Sequence, residues 1–378
     1  MFLFERLFGI ATYSYLLIAV CVLVAFSKIN LKSLFRFYIA SLCVMAFFYT
    51  PYETADLYRI FETMEWYSDM SFGDFFSTFV LTSSSPLPRV LYWFIGQFGI
   101  NGLLPAVSCA ISYSLIFSVV LKTQEKYSIS RTNVALTLLL LMSSSMYISV
   151  VGGIRMMLSM SLVVFCFFRE TVERKFKWYH VLLYIIAVFT HNMAFVIVAI
   201  RIISALFDKR NKNTNIILSF CAIVMAILMF WRFNYIILDV LSNVSHYLGG
   251  DTYSDAWEYL MGALFALLYV IVFVRFFLHE RKTPAHKELI SYNMGAVISA
   301  AIALGFFSVF SIFYRFIGHL VPLLSIPMLM ICLQDSRDKT KVRGYRMSFS
   351  TFVFLITVVI FAISALRGSL SSLKFFVL

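Results

Sequence analysis

The chain has 378 residues, of which 61% are hydrophobic and 13% charged, with a mean hydropathy of +0.87. Soluble domains carry roughly a quarter charged residues, so this chain has too little polar surface to cover itself in water, and no polar stretch is long enough to be a soluble domain of its own. The net charge of +12 is scattered in short clusters between apolar segments rather than gathered on one polar face, which excludes a nucleic-acid footprint and makes the charge a record of topology.

A spanning helix needs about 20 mostly apolar residues, in a range of roughly 17 to 25. The first such run, 10–26, has neither a basic leader nor a small-residue cleavage site, and reads as a retained helix rather than a signal peptide. Further spans are expected at 34–49, 103–121, 134–150, 153–169, 214–231, 259–278, 290–311, 315–333 and 347–366. Two stretches do not fit. Segment 86–99 is short and opens with Pro86 and Pro88, and 180–207 is too long for one span and too short for two full ones.

Loop charge resolves both, because cytoplasmic loops collect Lys and Arg. The clusters are Lys28/Lys32/Arg36, Lys122/Lys126/Arg131, Arg169/Arg174/Lys175/Lys177, Lys209/Arg210/Lys212, Arg281/Lys282/Lys287 and Arg337/Lys339/Lys341/Arg343/Arg346, together 21 of the 31 basic residues. All six fall on one side, from an external N-terminus, only if 86–99 does not cross and 180–207 goes in and comes back. A surface or re-entrant helix is therefore expected after Pro88, and a short hairpin or broken helix turning near Thr190, His191 and Asn192. The expectation is an all-α, polytopic integral membrane bundle of about 11–12 transmembrane helices, forming a single domain over 1–378 with external loops at about 50–86 and 232–257. The first of these loops is acidic, and Leu57, Ile60, Phe61 and Met64 have the spacing of an amphipathic helix lying on the outer interface. The second holds Tyr235, His246, Tyr247, Asp251, Tyr253, Asp255 and Trp257, equally suited to sugars and to an interfacial aromatic belt.

The six cysteines (Cys21, Cys43, Cys109, Cys166, Cys221 and Cys332) stand alone in apolar runs, without a CxxC pair, and read as packing residues. No Gly-rich nucleotide loop and no HExxH pattern supports a nucleotide donor or a catalytic zinc, so no cofactor and no metal are expected. Helix middles are nearly free of charge; charges at helix ends away from the basic clusters carry functional weight. Four of them fall on the predicted external side: Asp56 after the second span, Arg155 behind Gly152-Gly153, His191 at the hairpin tip, and Arg315 between two apolar segments. Arg155 and Arg315 also suit snorkelling anchors, His191 a structural turn, and Asp56 simple solvation. Taken together, two arginines beside a helix N-terminus suit a pyrophosphate, which guanidinium grips in a bidentate fork.

The string Gly153-Ile154-Arg155-Met156-Met157-Leu158-Ser159, followed by Ala187-Val188-Phe189-Thr190-His191-Asn192-Met193-Ala194-Phe195, resembles the Arg-helix and His-turn of EpsG-like and Wzy-type polysaccharide polymerases. Asp56-Leu57-Tyr58-Arg59-Ile60-Phe61 is similar to that family's early external Asp/Tyr segment, and Tyr314-Arg315-Phe316 to its late arginine. Met156 stands where the family often has Gln, and Met193 where it often has a small hydroxyl residue. The resemblance implies a GT-C-like bundle in the bacterial cytoplasmic (inner) membrane with its active site facing outward. It implies metal-independent transfer of a growing glycan from undecaprenyl pyrophosphate onto a lipid-linked repeat unit, yielding O-antigen, capsular polysaccharide or exopolysaccharide. Arg155 and Arg315 would stabilise the departing pyrophosphate, and His191 or Asp56 would take the proton of the attacking hydroxyl. Arg59, Tyr58, Tyr314 and Asn192 would bind substrate. Partners would be the lipid-linked donor and acceptor, the bilayer, and a chain-length-regulating membrane protein; nucleic acid would not be one. An O-antigen ligase, a lipid-linked oligosaccharide flippase or other transporter, and a membrane-bound acyltransferase are the competing readings.

Overall fold

In lipid, a backbone amide has no water to bond, so apolar runs without internal Pro must close their own hydrogen bonds as helices. A computed structural model of the chain describes residues 2–205, 256–335 and 348–366, except 54, 84, 145, 283–285 and 308, together with Leu373. Among the described residues every regular element is helical. In chain order these are α1 (Phe2–Phe26), α2 (Leu31–Phe47), α3 (Asp56–Ser68), α4 (Phe72–Phe75, continued by a π-turn over Phe76–Val80), α5 (Pro86–Gly96), α6 (Leu103–Tyr127), α7 (Arg131–Ser143), α8 (Met146–Gly152), α9 (Ile154–Thr171), α10 (Trp178–Thr190) and α11 (Met193–Ala205). Then follow α12 (Ala256–Lys282), α13 (Leu289–Gly305), α14 (Phe310–Arg315, continued by a π-turn over Phe316–Leu320), α15 (Val321–Leu324), α16 (Ile326–Gln334) and α17 (Phe349–Leu366). The predicted span 214–231 and most of the predicted loop 232–257 lie outside the described residues.

The chain is an integral membrane protein. Among the described residues, segments Phe8–Phe26, Leu103–Tyr127, Tyr259–Arg281 and Phe349–Leu366 are each long and apolar enough to cross a bilayer, and counting each bent pair as one span gives up to six there. Those pairs are α7 with α8, bent by 55°, and Phe310–Leu324 with α16, bent by 58°. Proline accounts for the second bend. Pro322 withholds an amide just after the π-turn, and Pro327 does the same in the first turn of α16. On α17, Phe354, Leu355, Val358 and Val359 are exposed on the surface, as a helix seated in lipid requires. Inside, α6 packs against α2, α8, α9 and α16. The centre is aromatic: Tyr13 stacks on Tyr147 with centroids 5.1 Å apart, and their hydroxyls donate to Met142 O (2.5 Å) and Leu42 O (3.3 Å). Neither phenol is left without a partner where water is excluded.

The four basic clusters that fall on described residues, 28–36, 122–131, 169–177 and 281–287, gather at one end. Arg131 donates to Val24 O and Ile29 O, both at 2.8 Å, and Lys126 donates to Val172 O at 2.5 Å and lies 3.5 Å from Glu288. Gln334, just ahead of the last cluster, accepts from Ser130 N and Asn133 Nδ2. The fourth cluster, 209–212, and the sixth, 337–346, are outside the described residues. Since Val172 closes α9 at this basic end, Arg155, near the start of α9, lies at the opposite end of the bundle.

Helices α10 and α11 form the expected hairpin, and a buried ion cluster shows that the chain returns. His180, eleven residues before His191, and Arg201, ten residues after it, both meet Glu170 on α9. Glu170 Oε2 lies 3.3 Å from Arg201 Nε and accepts from Tyr184 OH at 3.0 Å, while Oε1 is 3.4 Å from His180 Nδ1. The Arg201 guanidinium also sits 5.0 Å above the Phe167 ring. All four polar residues are at most 3% exposed. Helical rise carries the tip about 17 Å from this cluster, whereas the fifteen residues from Glu170 back to Arg155 cover about 22 Å. His191 therefore ends near the Arg155 end of α9, a few Å short of it.

Arg201→Ala strands a buried carboxylate and is expected to cost about 3–5 kcal/mol, measured by denaturant unfolding in detergent. The double replacement Glu170→Met/Arg201→Met is expected to recover most of that loss.

Candidate active site

At the end opposite the basic clusters, α3 and α5 lie together. Asp56 opens α3, where its charge suits the helix dipole, and Leu57, Met64 and Tyr67 are buried while Asp56 and Arg59 are exposed. This is the amphipathic helix expected from the apolar spacing. Helix α5 begins with Pro86 at its first position and has only 11 residues, about 16 Å and too short to cross. Gly96 allows close approach: a Cβ there would stand 2.8 Å from Met64 O. Trp93 Nε1 donates to Met70 O at 3.3 Å, and Asn101 Nδ2 to Glu65 Oε1 at 3.2 Å.

Between these two helices and the start of α9 is a cavity of about 480 Å³, whose walls include Asp56, Arg59, Trp66, Arg89, Tyr92 and Arg155. Asp56 is 3.9 Å from Arg59. Arg89 donates to Tyr67 OH at 3.4 Å and lies 6.0 Å from the Phe79 ring centre. Burial pushes the Tyr92 phenol up to about 12, reinforced by Asp56 and Tyr67 and opposed by Arg155 and Arg89, so it stays protonated.

Arg155 also acts on the hairpin tip. His191 ends α10, its own amide donating to Ala187 O at 3.0 Å, and its Nδ1 accepts from Met193 N at 3.1 Å. Burial, with the charges of Arg155 and Arg315 acting in the same direction, lowers its pKa to about 4. Three residues from distant parts of the chain thus act on one another. The Met193 amide at Nδ1 fixes the tautomer of the neutral ring: its proton is on Nε2.

The segments that carry Arg155 and Arg315 are tied to each other. Ser149, on α8 just before the Gly152-Gly153 break, pairs with His319 Nε2 at 2.5 Å. His319 sits in the π-turn that follows Arg315, with Nδ1 3.3 Å from Tyr314 O. The Gly152-Gly153 step accommodates this crowding, since a Cβ on Gly153 would be 2.9 Å from Ser149 O.

Of the residues singled out in the sequence, Asp56, Arg59 and Arg155 share the cavity, while Arg155, His191 and Arg315 share the hairpin tip. Asn192 lies beside His191 with its Oδ1 buried and unpartnered. Tyr58 is not in the cavity wall, and Tyr314 stacks on Phe310 and meets His319 edge-on, with centroids 5.3 and 5.2 Å away. Trp257, the one described residue named from the 232–257 loop, is exposed on α12. Sequence reasoning placed the short helix after Pro88 but missed Arg89 and Tyr92 on it, and it missed the Ser149–His319 pair. It also passed over Arg201, although a charge within the apolar run 193–205 was visible; the helix interiors are less free of charge than expected.

A family model described as the EpsG family matches residues 55–375. The chain belongs to the EpsG family. The match takes in α3, the cavity, the hairpin and the Arg315 segment, and as an EpsG-family member the chain is a polysaccharide-polymerase-like membrane protein of glycosyltransferase type. No curated protein and no solved structure matches the chain at a significant level.

Two outcomes are expected of this EpsG-family site. Ser149→Ala, which leaves a buried imidazole nitrogen unsatisfied, costs about 1–3 kcal/mol of stability, read by unfolding in detergent. Because His191 is uncharged above a pH of about 4, lowering the pH from 8 to 5.5 does not protonate it. The kcat/KM profiles of wild type and His191→Gln are therefore expected to share the same shape over that range.

Proposed function

We propose that the chain is a polymerase that joins undecaprenyl-pyrophosphate-linked repeat units into O-antigen, capsular polysaccharide or exopolysaccharide at the outer face of the bacterial cytoplasmic membrane. The observation that carries this reading is the convergence of Arg155 and Arg315 on His191. Two guanidiniums and a neutral N–H donor suit a leaving group that gains negative charge, and pre-set charge of this kind is usually the largest catalytic contribution. The end at which they gather lies opposite the Lys/Arg clusters, the outer side by the positive-inside rule.

The chemistry divides among these residues as follows. An acceptor hydroxyl oxygen bonds to the anomeric carbon of the donor glycan as the bond from that carbon to the pyrophosphate oxygen breaks. Arg155, Arg315 and the Nε2–H of His191 stabilise the departing pyrophosphate. The hydroxyl proton goes to Asp56. Between the two candidate bases the hydrogen bonding favours the carboxylate, because His191 Nδ1 is occupied by the Met193 amide and Nε2 bears the proton. Pyrophosphate leaves as a stable anion, and this reading requires no metal.

The decisive experiment incubates purified protein with a lipid-linked repeat unit and looks for dimers and longer products. Movement of single units between leaflets without joining overturns the polymerase in favour of a flippase, and transfer to a lipid A core alone would favour a ligase. Arg155→Ala, Arg315→Ala and Asp56→Asn are each expected to lower kcat at least a hundredfold. His191→Gln, which keeps a donor, is expected to retain measurable activity that His191→Phe loses. Fusions after residues 125 and 210 should both report cytoplasm; an external signal at 210 would break the assignment of sides.

A further inference from the structure

The cavity between α3 and α5 contains more positive charge than the transfer reaction uses. Arg89 and Arg155 both line it, and neither has a carboxylate within ion-pair distance among the described residues. Arg59 is paired with Asp56 at 3.9 Å, in an exposed contact of little energetic weight. Arg89 is held in place rather than loosely solvated: it is half-buried, lies over Phe79, and spends one of its five N–H donors on Tyr67. The second observation is independent of charge. Tyr92 is 5% exposed, and its hydroxyl, which feels Arg155, Asp56 and Arg89, has no hydrogen-bond partner in the protein. Buried hydroxyls are nearly always partnered, and the exceptions ask for a ligand or a functional reason. Around these polar groups, Trp66 and Phe79 supply aromatic faces, and Trp66 is 54% exposed.

With Arg155 answered by the donor's pyrophosphate, a neutral sugar would leave the Arg89 guanidinium uncompensated in a half-closed space, whereas a sugar bearing a carboxylate would answer it. Aromatic faces, a phenol and a forked cation are the groups that hold such a ring. Resting on the reading above, we propose that this cavity is the acceptor site and that it selects an acidic sugar. The acidic group lies on Arg89, the ring is held against the Trp66 side of the cavity with a hydroxyl on Tyr92, and the attacking hydroxyl is presented to Asp56. Arg155 stands on the boundary with the donor's pyrophosphate. Arg89 and Tyr92 then determine which repeat unit is extended rather than how fast the bond forms.

The test is binding without turnover, using the full chain in lipid nanodiscs titrated by calorimetry. The probes are a glucuronate-containing oligosaccharide, a neutral oligosaccharide of equal length, and inorganic pyrophosphate. The acidic probe is expected to bind at least tenfold more tightly than the neutral one. Arg89→Ala is expected to weaken it about tenfold or more and Tyr92→Phe a few-fold; Arg89→Lys is expected to restore most of the binding, which a folding defect would not allow, and Arg315→Ala to leave it unchanged. Equal affinity for the neutral probe overturns the proposal, as does an Arg89→Ala variant that binds normally. Displacement of the acidic probe by pyrophosphate, with binding lost in Arg315→Ala, would make the cavity the carrier's phosphate seat instead. If repeat units are joined but the acidic probe does not bind, this inference fails alone. If the probe binds as described but units are never joined, the polymerase reading fails and the cavity stands as an acidic-glycan site.

Discussion

The contact on which the arrangement depends is the buried meeting of Glu170, His180 and Arg201. A charge inside a membrane bundle is tolerable only when it is answered on the spot, and Glu170 answers two helices at once. In doing so it turns α10 and α11 from two undersized helices into one hairpin of fixed depth. Thirteen residues in each arm are too few to traverse the hydrocarbon core, so the tip stops inside the protein. His191 is consequently recessed and half-buried, where burial first and the charges of Arg155 and Arg315 after it keep the ring neutral.

A second tie works across the bundle. The helix carrying Arg155 begins where α8 breaks at Gly152-Gly153, and the helix carrying Arg315 widens into a π-turn ahead of Pro322. Both irregularities loosen local geometry, and the Ser149–His319 contact fastens the two loosened places together. Irregular backbone within a membrane protein is tolerated where it is buried or lines a cavity, and both breaks adjoin the proposed pyrophosphate seat. The helices there sacrifice regularity to bring two like charges toward one spot, an arrangement whose repulsion an anion relieves.

The cavity under α3 and α5 gives this arrangement a second compartment. One wall belongs to an amphipathic helix that contributes Asp56, Arg59 and Trp66, and another to a helix too short to cross that contributes Arg89 and Tyr92. Arg155 faces both compartments, acting on Tyr92 in one and on His191 in the other. The transfer proposed above would need such adjoining seats, one for the charge that leaves and one for the hydroxyl that arrives, with Arg155 where they meet.

The sequence by itself determined a great deal. Apolar runs specified an all-helical membrane chain, and the spacing of Lys and Arg clusters predicted that they share one end. The same charge count required 180–207 to turn back at His191 and 86–99 to stay off a full crossing; the hairpin and the 11-residue α5 have those forms. These features were legible because hydropathy and loop charge act through the solvent, one segment at a time. Asp56, Arg155, His191 and Arg315 were visible for a related reason, being charges where lipid discourages them. Only the tertiary structure decided that Glu170 and Arg201 cancel, that Arg89 and Tyr92 join Arg155 in one cavity, that Tyr314 stacks on Phe310 and meets His319 edge-on, and that His191 Nδ1 accepts from the Met193 amide. Each of these depends on which atoms from distant segments come within about 3–6 Å, the range over which hydrogen bonds and partly desolvated charges act. That proximity is set by helix breaks and packing depth, and no single segment of the sequence contains it.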